Sequence, residues 1–521
     1  MYTLGINADM YEGAACLVRD GVVVAAADEA RLRPAHGERP LPLGGACLPA
    51  HAIAACLAQE NIALHELEHV ASDLVLGDAF DCTGQWHHVG RQAALEAGAS
   101  LAAPFQSCAV LVSGSAGAMG EATYGVFERG AYRRLGAPGR LQSLAQLSRR
   151  VARHLGLPAP GGEANMGALA AYGRPGYVGH FRQLVHAGGE GCVDVVHADL
   201  GELLGPPRLP HGALEQRHMD VAHSLQRVLE DTFIEIADWL HGQCGQAQLS
   251  LAGHFAGNWA LATALRARSR FQDIWVQPAG TGATVALGAA LLVDAAQRTD
   301  RLANWSMDHV FLGPQFFEDE IESLLRQSKL AYRRCGDIAR DSAALLAQNK
   351  VLGWFQGRME VGPETLGARS ILAAATDLAM QDKLNSMCGN EDFLPIPGVV
   401  LAETAGDWFM ENGHLPCMQL SEMIQPQLAH RVPALRHVDG TARTHAIEAR
   451  QHALLHELVR AYGRLSGIPV LAQLPFGLAG EPVAATPRAA LEYFCSMPLD
   501  ALAIGPFLLE KSWLTAWRGI P

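Results

Sequence analysis

Two stretches of this chain repeat one pattern, and that repetition limits the fold more than any other feature. The first, "MYTLGINADMYEGAACLVRDGVVVAAADEA", reads strand, polar turn, strand, then a hairpin around Asp20-Gly21. The second, "SCAVLVSGSAGAMGEATYGVFERGAYRRLG", reads strand, glycine-rich turn, strand, strand. A chain that builds the same β-unit twice, with helices between, points to a duplicated α/β architecture of the nucleotide-binding kind. Apolar spacing predicts a helix near Leu48 to Asn61, another opened by His87 and His88, and a long one over Asp220 to Gly242. "AQLSLAGHFAGNWALATAL" reads strand, turn, helix, and so does "DIWVQPAGTGATVALGAALLVDAA". From about Leu330 a second region continues in an α+β pattern to the end, with the boundary expected between Phe311 and Lys329.

Length supports the division, because 521 residues exceed what one ordinary core holds. Hydrophobic residues make up 49% and charged residues 18%, enough apolar mass for large buried sheets. The net charge of −13, without a basic stripe, argues against nucleic acid as the main partner. Eleven cysteines are scattered with no C-x-x-C pair, which reads as reduced thiols rather than a disulfide framework or zinc ribbon. The N-terminus lacks the apolar run of a signal peptide, and no stretch is long and apolar enough to span a bilayer. These features set the expectation of a cytoplasmic protein without membrane association.

Several stretches fall in one order: "LGINA", "VRDGVVVAAADEARL", "MGALAAYGRP", "AHSLQRVLED", "VQPAGTGATVALGAALL", "GWFQGRMEVGPETLGARSILA", "HVDGTAR" and "GIPVLAQLPFGLAGEPVAATP". Together they resemble the O-carbamoyltransferase family of antibiotic-tailoring and nodulation-factor enzymes, over nearly the whole chain. The resemblance implies a TsaD-like duplicated domain over 1–325, in the actin, hexokinase and chaperone-ATPase group, followed by a YrdC-like α+β domain over 330–521. It implies that the rear domain makes a carbamoyl-adenylate from carbamoyl phosphate and ATP. The front domain then passes the carbamoyl group to a substrate hydroxyl with help from a metal ion.

The residues at the implied sites depart from the family pattern. The family's metal motif H-H-x-x-H appears as His87, His88, Val89, Gly90 and Arg91. A guanidinium cannot ligate a metal. The Asp of the family's P-A-A-G-D-A-G turn is Gly282. The acidic turn of the second β-unit is Ser113-Gly114-Ser115-Ala116-Gly117, and the H-x-D-S turn that supplies a base is Met10-Tyr11-Glu12-Gly13. Glu12 keeps the charge. The front candidates are therefore Glu12, His87 and His254, and no metal is expected. A different site built from His87 and His88 with Glu96 or His254 is the alternative to a plain structural role for these histidines.

In the rear domain, Glu364 stands where the family's G-P-R-A-L-G-x-R-S loop has an Arg, which reverses the charge beside a phosphate site. Cys388, Asn390 and Leu394 replace the family's cationic K-x-R-E-x-F-R-P groups, and Gln473 opens the stretch that replaces N-T-S-F-N. Arg358, Arg369, Ser370, His437, Asp439, Thr441 and Arg443 match family positions, as do Gly362, Pro363, Gly440 and Gly480. Those side chains are the substrate- and nucleotide-binding candidates, with Arg443 foremost; the competing reading is that they only hold the fold. Cys388 is a nucleophile candidate against the plainer reading of a buried thiol.

Three readings follow. The main expectation is a diverged carbamoyltransferase-family protein of specialised-metabolite biosynthesis. It is either a catalytically impaired partner of another biosynthetic enzyme or an enzyme of altered, metal-independent group-transfer or rearrangement chemistry. The alternative is retained ATP-dependent O-carbamoyl transfer to a natural-product hydroxyl. No cofactor is expected beyond ATP in the C-terminal domain. The partner is a small-molecule substrate or a biosynthetic enzyme, and nothing in the sequence excludes a homo-oligomer.

Overall fold

The computed structural model describes residues 1–33, 47–74, 82–114, 122–139, 141–157, 161–298, 305–410, 416–478 and 480–511. The chain divides into two compact units: Met1–Glu29 with Pro40–Asp308, and Ala30–Arg39 with His309–Pro521.

The front unit holds two five-stranded sheets. The first uses β1 (Tyr2–Asn7), β2 (Ala14–Arg19), β3 (Val22–Asp28), β4 (His69–Ser72) and β5 (Gln85–His88), in the order β3-β2-β1-β4-β5. The second uses β6 (Ser107–Val112), β7 (Ala122–Glu128) and β8 (Ala131–Gly139), then, past a separate hairpin of β9 (Val185–Gly189) and β10 (Cys192–Val195), β11 (Gln248–Ala252) and β12 (Asp273–Val276). Its order, β12-β11-β6-β7-β8, is the first order over again. In each sheet the first three strands run antiparallel and the last two join in parallel. The duplication expected from sequence is thus present strand for strand.

The hairpin turns repeat too. Asp20 and Gly21 both have positive φ, as do Arg129 and Gly130 between β7 and β8. Two such residues in succession give the turn whose twist suits antiparallel strands, and glycine at the second place avoids the steric penalty there.

The helix over Gly280–Gln297 is apolar nearly all round and buried without a break over Gly282–Leu291, as a central core helix should be. It packs on β1 and β2 and on the helix Arg91–Ser100. The approach is close because glycines make it so. A methyl group on Gly5 would lie 2.0 Å from the Ala286 carbonyl oxygen, and one on Gly288 would lie 1.8 Å from that of Ala94. The long helix predicted over Asp220 to Gly242 spans Gln216–Cys244, and that near Leu48 spans Ala50–Glu60, closed by Asn61 in the left-handed conformation.

One local expectation is corrected. His87 and His88 do not open a helix; they end β5, whose residues pair in parallel with β4. The helix begins at Arg91, after Gly90. Pairing with a strand far back in sequence overrides the local helical pattern.

The rear unit is built on one eight-stranded mixed sheet. Its strands are β13 (Arg333–Arg334), β14 (Leu352–Phe355), β15 (Arg369–Ala374), β16 (Gly398–Leu401), β19 (Thr444–Ile447), β20 (Val470–Pro475), β21 (Ala501–Ile504) and β22 (Phe507–Glu510). The order is β13-β22-β21-β14-β15-β20-β16-β19. A short pair, β17 (Glu422–Met423) with β18 (Thr441–Ala442), stands beside it. The helix Ile338–Leu346 packs against the helix Ala453–Ser466, and the helix Glu318–Ser328 packs on Pro487–Ser496. No helix among the described residues is long and apolar enough to cross a membrane.

Candidate functional site

In the front unit the turn between β1 and β2 is set by its own side chains. The Asp9 carboxylate accepts hydrogen bonds from the backbone N–H of Tyr11 (2.8 Å) and Glu12 (3.0 Å), an Asx turn. Asn7 donates to the Glu12 carbonyl. Arg91, the first residue of its helix, reaches into this turn. Its guanidinium donates to Asn7 Oδ1 (2.8 Å), Asp73 Oδ2 (3.2 Å) and Glu12 Oε2 (3.2 Å), and lies 3.9 Å from Asp9 Oδ2. Burial raises the Glu12 carboxyl above its ordinary range, with Asp9 adding to the rise and Arg91, His254 and Arg149 opposing it.

Two of the three front candidates therefore lie within electrostatic reach of each other. Glu12 feels the charge of His254, whose Nε2 lies 3.0 Å from Glu163 Oε1. His87 is engaged elsewhere: its Nε2 is 3.1 Å from Nδ1 of His69. Burial and the neighbouring His69 lower its pKa. The alternative site with Glu96 does not form, because Glu96 is buried and paired with Arg134 at 2.7 Å. His254 is taken by Glu163. Of the second-unit turn, Ser115 to Gly117 lie outside the described residues.

The residues present do not fit a divalent metal. No group of three or more His, Cys, Asp or Glu side chains poised for one occurs among the described residues. Arg91 sits among the acids. At Gly282 there is no room for any side chain, since a Cβ there would lie 2.1 Å from the Glu12 carbonyl oxygen.

In the rear unit, several candidates turn out to brace the backbone. Arg369 is fully buried and donates to the carbonyls of Gln356, Ala368, Pro314 and Gly357 at 2.9–3.2 Å. Its guanidinium lies 3.8 Å from the Phe355 ring centre. Burial lowers its pKa to about 10. Arg358 donates to the carbonyls of Gly313 and Leu312. Asp439 accepts from the N–H and hydroxyl of Thr441 (2.9 and 2.7 Å) and lies 3.5 Å from His437 Nδ1. Burial would raise the Asp439 pKa, but the hydrogen bonds from His437 and Thr441 outweigh it and hold the group at about 2. This His437–Thr441 segment is a self-contained turn, with Gly440 at φ +87°.

Arg443 is different. It donates to the Met418 carbonyl at 2.7 Å and to the Glu364 carboxylate. Arg31 donates to the Glu364 carbonyl oxygen at 2.8 Å. The cation foremost among the phosphate contacts thus already holds a carboxylate, supplied by the residue whose charge is reversed. Cys388 is buried at the end of its helix, and burial pushes its thiol to about 12, which suits an inert thiol.

Beyond Ser370 and Gln473, which stood out in the sequence, this unit holds buried polar atoms that sequence reasoning missed, on Glu360, Thr444 and His452. Glu360 Oε1 accepts from the N–H groups of Leu366, Ala368 and Arg369, whereas its Oε2 has no hydrogen-bond partner among the described residues. The same holds for Ser370 Oγ, Gln473 Oε1, Thr444 Oγ1 and His452 Nε2. Gln473 donates to the Thr365 carbonyl of the Glu360-capped loop, and His452 feels the charges of Glu360 and Arg369. Buried groups of this kind take water or the polar atoms of a ligand as partners. No local motif announced Glu360, Thr444 or His452, which come from a loop, a strand and the start of a helix.

The fold defines a two-unit α/β protein with a duplicated front half and a rear half that holds buried polar atoms. The Carbamoyltransferase N-terminus model matches residues 81–291 and the Carbamoyltransferase C-terminus model residues 343–511. The chain belongs to the carbamoyltransferase family. An uncharacterized protein of Synechocystis is 28% identical over 98% of this chain and 97% of its own length. Nodulation protein NolO of Bradyrhizobium diazoefficiens is 32% identical over 57% of this chain and 55% of its own. Nodulation protein U of Sinorhizobium fredii is 32% identical over 52% and 46%. The alignments with these nodulation proteins span about half of their length. Among solved structures, an activator of 2-hydroxyisocaproyl-CoA dehydratase from Clostridium difficile covers 57% of this chain and 95% of its own, at 13% identity and a TM-score of 0.34. That likeness is too slight to carry a function across. The family matches favour carbamoyl transfer over the expectation of an impaired or repurposed chain.

Proposed function

We propose that this chain carbamoylates a hydroxyl group of a small-molecule natural product, with carbamoyl phosphate as donor and ATP as activator. The relatives named for nodulation support the small-molecule setting. On this reading the rear unit, as a YrdC-like domain, takes ATP, and the front unit, as a TsaD-like domain, carries out the transfer. The substrate oxygen attacks the carbamoyl carbon of the adenylate, the bond to the phosphate oxygen breaks, AMP departs and Glu12 takes the hydroxyl proton. A carboxylate whose pKa burial has raised is a better proton acceptor near neutrality than an exposed one. The single observation that supports the reading most is the succession of both family matches in one chain, over a front half that holds Glu12 and a rear half with buried polar atoms that have no hydrogen-bond partner among the described residues.

A second reading draws on the two occupied charge sites. Arg91 fills the front acids and Glu364 fills Arg443, which favours a chain that has given up transfer and acts as the partner of a related enzyme. Incubation with ATP and carbamoyl phosphate separates the two. Formation of carbamoyl-adenylate with release of pyrophosphate from ATP and, with uptake of water, of phosphate from carbamoyl phosphate, followed by mass spectrometry, supports the first reading. Unchanged ATP at micromolar protein and millimolar ligand supports the second.

A further inference from the structure

The front site gathers oxygen donors from two separated parts of the chain. Asn7 ends β1, Asp9 and Glu12 lie in the turn that follows, and Asp73 follows β4. Oxygen-only sets of this type attract hard divalent cations, although with Arg91 in place no three of these acids are poised to hold one among the described residues. Here the space between them holds a guanidinium. Arg91 touches Asn7, Asp73 and Glu12 through hydrogen bonds of 2.8–3.2 Å and Asp9 at 3.9 Å. Asp73 is nine-tenths buried, and its second oxygen has no hydrogen-bond partner among the described residues. A carboxylate so buried needs a compensating charge close by.

Arg91 also opens a helix, where a cation faces the positive end of the helix dipole. The surrounding carboxylates and the Asn7 amide oxygen offset that placement. The arrangement is closed off on its other side as well, because Gly282 packs directly on the Glu12 backbone and leaves no room for a further ligand. A guanidinium cannot lose its proton at any ordinary pH, so this cation is permanent.

We propose that Arg91 is the built-in cation of the front site, holding the Asp9, Glu12 and Asp73 carboxylates in place of a divalent ion and making the site indifferent to metal. The inference is independent of which group the chain transfers. It concerns what neutralises the acids, and it stands or falls with or without carbamoyl transfer.

Mn2+ is the probe, applied to the full chain by calorimetry and by thermal melting with and without EDTA. The wild-type chain shows no saturable Mn2+ binding at the site, and its melting temperature does not move with EDTA or Mn2+. Arg91→Ala strips the acids of their cation. It melts lower than wild type, binds one Mn2+ at least about tenfold more tightly than wild type and regains melting temperature when Mn2+ is added. Arg91→Lys keeps the positive charge without the fork, so it folds and stays insensitive to Mn2+. Stoichiometric Mn2+ binding by the wild-type chain, abolished by Asp73→Asn, overturns the proposal. So does an Arg91→Ala protein that melts like wild type and ignores Mn2+. If Arg91→Ala does not fold, the wild-type titration and Arg91→Lys decide: a lysine variant that gains Mn2+ binding also overturns it.

Discussion

Replacing Gly282 by alanine adds one methyl group at a place where the front unit has closed on itself. That methyl would lie 2.1 Å from the Glu12 carbonyl oxygen and 2.8 Å from the Glu12 Cβ. Backbone is the obstacle, so the turn or the helix must shift. Overpacking against backbone falls in the upper part of the usual range, about 2–3 kcal/mol, and the gain in helix propensity recovers about 1 kcal/mol of it. The net loss is about 1–2 kcal/mol, or a fall in melting temperature of about 2–8 °C for a unit of this size. Gly242 supplies the control. It also lies in a helix, it is exposed, and a Cβ there meets nothing within 4 Å. The same substitution at Gly242 stabilises by about 0.5–1 kcal/mol. Parallel thermal melts of Gly282→Ala and Gly242→Ala should therefore move in opposite directions. A Gly282→Ala chain that melts with or above wild type would refute the closed packing of the Glu12 turn on this helix.

Acid should weaken the rear unit. Burial lowers His445 to about 3 and His452 to about 4, against 6.5 unfolded. Above pH 6.5 both are neutral in either state; below it the unfolded chain takes up protons first, so stability falls with pH until the folded pKa values are reached. Each contributes a loss of roughly 2 kcal/mol by pH 5. His452 caps its helix by accepting from Leu455 N–H, and His452→Asn keeps that acceptor without the titration. Denaturant melts of this variant should match wild type at pH 7 and lose less on going to pH 5; equal acid loss in both would rule His452 out as a source. Arg369→Ala should destabilise by roughly 3–5 kcal/mol in the same melts, since it leaves four carbonyls short of a donor. A near-wild-type melt would contradict its bracing role. Thiol labelling of the native chain should modify exposed Cys495 well before buried Cys388; equal rates would contradict the inert assignment of Cys388.

Much of the scaffold was legible because local signals agreed with the final packing. Asp20-Gly21 named its hairpin, the apolar run of "GATVALGAALLV" named a core helix, and the two β-units announced a duplication that the strand orders repeat. His87 and His88 were misread because a parallel neighbour, β4, decides their conformation, and a window around "QWHHVGRQAAL" carries no trace of it. The site was less legible than the fold. Single positions such as Arg91, Gly282 and Glu364 could be marked as departures. Their partners could not, since Arg91 meets acids from two distant segments and Glu364 meets Arg443 from 79 positions away. Arg369 shows the converse: a matching residue, attractive as a phosphate contact, proves to be spent on backbone carbonyls.

Calorimetric titration of the full chain with ATP, followed by carbamoyl phosphate, bears most directly on carbamoyl transfer. The account predicts saturable ATP binding that is lost in Arg443→Ala and strengthened in Glu364→Gln, because the glutamate carboxylate now held by Arg443 competes with a phosphate for it. No heat from either ligand up to millimolar concentration, in wild type and in Glu364→Gln alike, would contradict it.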